Sequence, residues 1–212
     1  MNALLAMNWP FEMMKTQKLL AFIFLLCVCC ACDDPGIESK VTKTIEKEFL
    51  INNLPQTSLV NEAVQFDLFN EEFIDYREGL QEIWINSIDL KIENQSFLRS
   101  SGIMIEDLSI KLGRAFNQQI DFLSKTEREK LEEKFLRFLQ GSSDSIRIYT
   151  KDSNDGVLNN ESEGIRNLSA WINKEGYFVA SLEALIQNSA LSGSESITFL
   201  FSVNLTALVK LE

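Results

Sequence analysis

The chain contains no histidine. Without an imidazole there is no Ser-His-Asp or Cys-His catalytic pair, and no histidine-ligated zinc, copper or iron. Its four cysteines all fall at Cys27, Cys29, Cys30 and Cys32. Nothing beyond residue 32 can therefore form a disulfide or offer a thiolate, and the remainder has to be stable through its core alone. Positive charge is also scarce. Against 20 Lys and Arg stand 31 Asp and Glu, for a formal net charge of −11. Such a chain repels phosphate backbones, so nucleic acid is not expected as a partner. The apolar run Leu19–Val28 falls well short of the roughly 20 residues that a spanning helix needs. The chemistry that remains belongs to carboxylates, hydroxyls, lysines and backbone. An enzyme built from these would use paired carboxylates or an oxygen-ligated metal.

Around that apolar run the order of residues is informative. Lys15 and Lys18 precede it, the small and soft residues Cys29, Cys30, Ala31 and Cys32 follow it, and the chain then turns polar at Asp33-Asp34-Pro35-Gly36. A basic start, a short apolar stretch and a small residue before a cut are the parts of a secretory signal peptide. Met13 or Met14 offers a start as complete as Met1. The segment resembles the leader of bacterial lipoproteins. Ala31-Cys32 matches the last two positions of their signature, whereas Cys29 and Cys30 depart from the usual Leu and Ser or Ala; Cys30 is the fallback site. The resemblance implies that residues 1–31 are a signal peptide and that Cys32 becomes the acylated N-terminus, carrying palmitate-type chains into a membrane. Residues 32–40 are then a polar tether and 41–212 a single domain. Asp33 and Asp34 resemble the surface-export signal of Bacteroidetes-type lipoproteins, although Asp directly after the cysteine resembles an inner-membrane retention signal in enteric bacteria. The expectation is a lipid anchor in the outer membrane, with both a surface-exposed and a periplasmic domain left open.

Period-two alternation dominates the rest. It predicts strands over 41–51, 63–69, 83–93, 103–112, 118–123, 145–150, 168–172, 177–180 and 197–211, with turns at 52–55, 173–176 and 193–196. Within 83–93, Ile88, Leu90 and Ile92 share one face and Asp89, Lys91 and Glu93 the other, as in an antiparallel sheet with one wet face. The clearest helix begins at Ser124, whose S-x-x-E spacing to Glu127 is a capping box. Leu131, Phe135, Phe138 and Leu139 fall on one face, and Gly141 stops it. Shorter helices are expected over 71–80, capped by Asn70, and over 181–187, capped by Ser181. No internal repeat is visible. The sum is a mainly β chain: an antiparallel sandwich with one long and one or two short inserted helices, its core supplied by 15 Phe. An α+β fold is the alternative.

Few places could hold chemistry. In the acidic stretch from Asp152 to Glu163, Asp152, Asn154, Asn160 and Glu163 stand at positions one, three, nine and twelve, where a calcium loop wants oxygen ligands. Gly156 stands at five instead of six, and a strand precedes the loop instead of a helix. A solvated loop around Asp155-Gly156 therefore ranks ahead of calcium. Trp84 and Trp171 could stack on a sugar ring, though large aromatics mostly pack. Trp84 alternates with Ile83 and Ile85, which points it away from the core. Three classes of function fit these residues. The first is a lipid-anchored binding or structural module, without catalysis, for an envelope protein or glycan. The second is a carrier of an apolar ligand, which needs an internal cavity. The third is a carboxylate-dependent hydrolase of envelope polysaccharide, which needs two acids across a cleft.

Overall fold

The computed structural model describes residues 36–52, 57–93, 102–114, 122–141, 143–153, 156–188 and 196–211. The body Glu38–Leu211 is mainly β. Its strands are β1 (Ile37–Ile51), β2 (Thr57–Asp67), β3 (Leu80–Ile92), β4 (Ile103–Gly113), β5 (Ser145–Thr150), β6 (Tyr177–Asn188) and β7 (Ile197–Leu211). Two helices interrupt them, α1 (Lys125–Gln140) and α2 (Glu163–Glu175).

The strands form a four-stranded sheet in the order β1-β7-β3-β5 and a three-stranded sheet in the order β2-β6-β4. Among the described residues, consecutive strands therefore lie in different sheets, and no hairpin joins neighbouring strands. The β2–β6, β4–β6, β3–β5 and β3–β7 ladders are antiparallel. On β1 and β7, Thr42 meets Thr206, Thr44 meets Asn204 and Glu46 meets Ser202, one series rising as the other falls. This order is that of jelly-roll winding, in which two Greek keys share two sheets. α1 packs beside β4 and reaches β5, so a helix covers the edge where an eighth strand would lie.

Alternation explains which side faces in. Ile45, Phe49 and Ile51 of β1, Phe199 through Val209 at every second position of β7, and Phe178, Ala180, Leu182, Ala184 and Ile186 of β6 are all buried. Aromatic rings join the sheets: Phe66 stacks on its register partner Phe178 at 4.6 Å and meets Phe201 of the opposite sheet edge-on at 5.6 Å. The edge strand β1 turns Lys43 and Lys47 toward the second sheet. Lys43 donates to the Glu72 carbonyl and sits 5.4 Å from the Phe73 ring, while Lys47 pairs with Glu71 at 3.2 Å. Inward-pointing charges of this kind discourage edge-to-edge pairing with another chain.

Several local expectations need correction. Residues 71–80 do not form a helix. A π-helical turn, Leu68–Glu72, and one 3-10 turn, Ile74–Tyr76, take their place, and the cap is Asp67, whose carboxylate accepts from the Asn70 amide. The predicted strand 168–172 lies inside α2, whose buried Ile165, Leu168 and Ile172 repeat at helical spacing. Gly176 ends that helix in the left-handed region at φ 75°, where a Cβ would sit 2.2 Å from the Phe69 ring. Residues 181–187 continue β6, because β2 and β4 pair on both of its flanks and override the Ser181 cap. The expected strand 118–123 lies mostly outside the described residues, and its last two residues, Phe122 and Leu123, form a buried bend. The turns at 52–55 and 193–196 also lie largely outside, as do the leader, Cys32 and the tether up to residue 35.

α1 begins with the capping box read from the sequence: Ser124 Oγ accepts from the Glu127 amide and the Glu127 carboxylate accepts from the Ser124 amide at 2.9 Å. That same carboxylate also accepts from the Gly164 amide at 3.2 Å, so it caps α2 as well. A Cβ on Gly164 would meet Leu123 at 2.8 Å and the Phe122 carbonyl at 2.9 Å, which is why the two helix starts can approach only over glycine. Burial raises the Glu127 pKa, but the hydrogen bonds from Ser124, Gly164 and Ser162 outweigh it and hold the carboxyl below its ordinary value of 4.5. A lowered folded value means that the stabilisation is present above about pH 4.5 and is lost as pH falls through the lowered value. Urea unfolding at pH 7 and pH 3.5 is expected to show a smaller pH-dependent loss in Glu127→Gln than in the unaltered chain; an equal loss in both would remove this role.

α2 is fixed to the sheet by a second side chain. β5 pairs with β3 only from Ser87 to Lys91, leaving the earlier part of that flank open. Asn173 fills it: its Oδ1 accepts from the Ile83 amide at 2.7 Å and its Nδ2 donates to the Ile83 carbonyl at 2.8 Å. The side chain stands in for a strand. Asn173→Leu leaves both backbone groups unpaired and is expected to cost about 2–3 kcal/mol, read from the urea midpoint.

Candidate functional site

The outer face of the four-stranded sheet carries a continuous row of polar side chains. Thr42 and Thr206 share a hydrogen bond at 2.9 Å. Asn86 Nδ2 donates to Asn204 Oδ1 at 2.7 Å and to Thr206 Oγ1 at 2.8 Å. Asn204 Nδ2 donates to Thr44 at 2.7 Å, Ser202 donates to Glu46 at 3.1 Å, and Arg147 pairs with Asp89 at 2.8 Å. The row crosses all four strands and holds its amides and hydroxyls in fixed places. Side chains already ordered cost little further entropy when a ligand meets them.

A β-bulge makes this row possible. In the pairing with β7, Ile85 faces Leu205 and Ser87 faces Asn204, so Asn86 is an extra residue. Before it Ile83 and Ile85 point inward; after it Ile88, Leu90 and Ile92 do. The shift from odd to even leaves Asn86 and Ser87 both on the outer side, with Asn86 aimed across the sheet. Its carbonyl also accepts from the Lys151 amide at 2.8 Å, which carries the chain past the end of β5.

Trp84 stands at the end of this row, on the outer face as its alternation implies. Thr206, opposite it in the register, is only 6% exposed although both its neighbours point into the core. Lys151 lies 4.7 Å and Lys40 5.6 Å from the indole centroid. Both are mobile stems over an aromatic face, and the cations add to any field felt by an acidic or hydroxylated ligand.

Trp171 is placed quite differently. It sits on α2 and packs against the core, with Phe122 at 6.3 Å and Tyr177 edge-on at 5.7 Å. The Arg114 guanidinium lies 4.2 Å from its ring centroid. Both tryptophans are partly buried, and the structure separates them: Trp84 lies on the outer sheet face and Trp171 packs against the core.

Of the calcium-loop positions, Asp152 and Asn160 are exposed, and Glu163 is the first residue of α2; Asn154 lies outside the described residues. Asn160 is engaged, its Oδ1 accepting from the Tyr149 hydroxyl at 2.5 Å and its Nδ2 donating to the Lys151 carbonyl at 2.6 Å. Burial, and then the charge of Asp152, push the Tyr149 pKa up. Among the described residues no three acidic, histidine or cysteine side chains gather as metal ligands, and no helix is long and apolar enough to cross a membrane.

The polar row itself is not something the sequence reading found. Its members are ordinary Thr, Ser and Asn at alternate positions of distant strands, and only the sheet order brings them together. The one available signal was the phase shift between Ile85 and Ile88. Comparison of the chain with protein-family models, curated proteins and solved structures returned no match.

The contrast between the tryptophans is measurable. Trp171→Ala is expected to cost about 3 kcal/mol, as for a packed aromatic removed to leave a cavity. Trp84→Ala is expected to cost about 1 kcal/mol or less, as for a surface position. Denaturant unfolding followed by circular dichroism reads both, and equal costs would contradict the placement.

Proposed function

We propose that this protein is a lipid-anchored binding module of a bacterial cell envelope that presents the outer face of its four-stranded sheet to a glycan. The observation that carries the reading is Trp84 beside the row of Asn86, Asn204, Thr42, Thr44 and Thr206. A sugar offers an apolar face of C–H groups and a rim of hydroxyls. An indole answers the first and fixed amides and hydroxyls the second. Either lysine stem has to swing aside for a ring to stack on Trp84, and the lost cation–π contact is small, about 0.5–1 kcal/mol at an exposed site.

The other two readings find less support. An apolar carrier needs space between the sheets, and Phe49, Phe66, Phe178 and Phe201 are in ring contact there. A carboxylate hydrolase needs an acid held protonated near neutral pH. The Glu127 carboxyl is held below its ordinary pKa and is occupied in capping two helices.

The leader supports the anchoring half of the proposal. Lys15 and Lys18, the run Leu19–Val28 and Ala31-Cys32 are the features of a lipoprotein signal. Two or more acyl chains on one cysteine hold a protein stably on a membrane where a single chain does not.

Two measurements test the two halves. Palmitate labelling of the full chain expressed in a bacterium is expected to succeed and to vanish in Cys32→Ser; label retained in the variant removes the assigned site. Protease shaving of intact cells then reports which way the domain faces. For the glycan half, cellohexaose, xylohexaose and chitohexaose are titrated while tryptophan emission is followed. At least one is expected to bind, with affinity at least ten-fold weaker in Trp84→Ala while the variant remains folded. Binding that ignores Trp84→Ala overturns the sheet-face assignment.

A further inference from the structure

The polar side chains in the middle of the outer sheet face fall into two parallel rows across β3, β7 and β1, which are neighbours in that order. The first is Trp84, Thr206 and Thr42: Thr206 lies opposite Trp84 in the register and shares a hydrogen bond with Thr42 at 2.9 Å. The second is Asn86, Asn204 and Thr44, joined by hydrogen bonds of 2.7 Å from Asn86 to Asn204 and 2.7 Å from Asn204 to Thr44. On each strand the two members are two residues apart, so the rows run about 7 Å from one another. Adjacent strands are about 4.8 Å apart, so each row spans roughly 10 Å from β3 to β1.

The bulge ties the rows together, because Asn86 Nδ2 also donates to Thr206 at 2.8 Å. Thr206, only 6% exposed, is the support that holds Thr42 and Asn86 in place. Thr42 and Thr44 are exposed, and Trp84, Asn86 and Asn204 are half-buried, so these five present surface to a ligand. The arrangement therefore has two polar edges, a repeat of one strand, and an aromatic face at the β3 end. A chain of pyranoses joined through equatorial bonds is a flat ribbon with the same features. Its hydroxyls lie along both edges, its C–H groups form the two faces, and each unit advances by about one strand spacing.

From this geometry we infer that the outer face takes three consecutive units of an extended, unbranched, β-linked glycan. The chain lies across the strands, with one ring on Trp84 and the third over Thr42 and Thr44. The inference rests on the reading that this face binds a glycan, and it adds the ligand's shape, direction and length. A helical α-linked chain turns its edges out of the plane within a unit or two, so it meets both rows at one ring alone. A branch on either edge displaces hydroxyls that the rows would receive. β1 is the edge of the sheet, so a fourth unit on that side finds no further strand. The hydrogen bonds within the rows order the side chains beforehand, which lowers the entropy lost when the ribbon settles.

The test titrates the full chain in detergent with cello-, xylo- and chito-oligosaccharides of two, three, four and six units, and with maltohexaose as the helical control. In at least one β-linked series, affinity is expected to rise at least ten-fold from two units to three and to change less than three-fold from four to six. Maltohexaose is expected to bind at least ten-fold more weakly than the six-unit member. In Thr42→Ala/Thr44→Ala the three-unit ligand is expected to weaken several-fold while the two-unit ligand stays within two-fold. Thermal unfolding checks that this variant folds; if it does not, the length series on the unaltered chain decides alone. Affinity flat beyond two units, affinity still climbing from four to six, or maltohexaose bound as tightly overturns the three-unit placement. Trp84→Ala keeps the two readings apart. Binding that is lost in Trp84→Ala but lacks this length dependence overturns the rows and leaves the sheet-face reading, whereas binding that ignores Trp84→Ala, or no binding at all, overturns both.

Discussion

The fold depends on the aromatic seam between its two sheets. Because consecutive strands among the described residues change sheet, none of them is paired with its neighbour in sequence, and no local hairpin there forms a stable unit that others could join. Thr42 and Thr206, in adjacent strands, are 164 residues apart, and even Asp89 and Arg147 are separated by 58. Such pairing is closed only when the whole chain is gathered, and loop closure has to precede its reward. With no cysteine beyond residue 32, what gathers the chain is burial. Phe66, Phe178 and Phe201 meet where β2, β6 and β7 face each other across the core. The helices are secondary to that seam. α1 covers the edge of β4, and α2 is clipped on by Asn173 and by the shared carboxylate of Glu127.

The same alternation that builds the seam builds the outer face. A strand whose inward residues are fixed by a core has its outward residues fixed too, because the two sets interleave. The bulge at Asn86 is one of the places where this rule is broken, and it falls in the middle of the polar row. Without the extra residue, Trp84 and the residues that follow would keep one phase, and Asn86 would not have Ser87 beside it on the same side. Bulges re-aim side chains at the expense of ladder regularity. Here the re-aimed amide links β7 to β3 through two hydrogen bonds at once.

How much of this was legible follows from which forces are local. Strands with long alternation, such as Ile103–Gly113 and Ile197–Leu211, announce themselves because the core imposes period two. So does α1, whose capping box is a local bond. The errors arose where a distant partner decides. α2 lacks a side-chain cap of its own, since Ser162 engages Asn159 and the cap arrives from Glu127, 37 residues away. Its short apolar stretch from Leu168 to Ile172 therefore passed for a strand, although Ile165, Leu168 and Ile172 have helical spacing. Ser181 passed for a helix cap because its two flanking strands are remote in sequence. Trp84 was legible as an outward residue, but the row beside it was not. Each Thr or Asn is unremarkable alone, and their meeting depends on sheet order.

The placement of cations carries the argument about function one step further. An acidic chain has few positive charges to distribute, and each of several here has an identifiable position. Lys43 and Lys47 turn inward and hold the β1 edge to the turn that follows β2. Lys111 pairs with Glu183 across the second sheet at 2.6 Å. These cations are consumed by structure, each against a carbonyl or a carboxylate. Lys40 and Lys151 are different. They lie over the indole of Trp84 on the outer sheet face, a contact that is weak at an exposed site. Placing both beside one indole opposes, at that point, the chain's overall repulsion of anions.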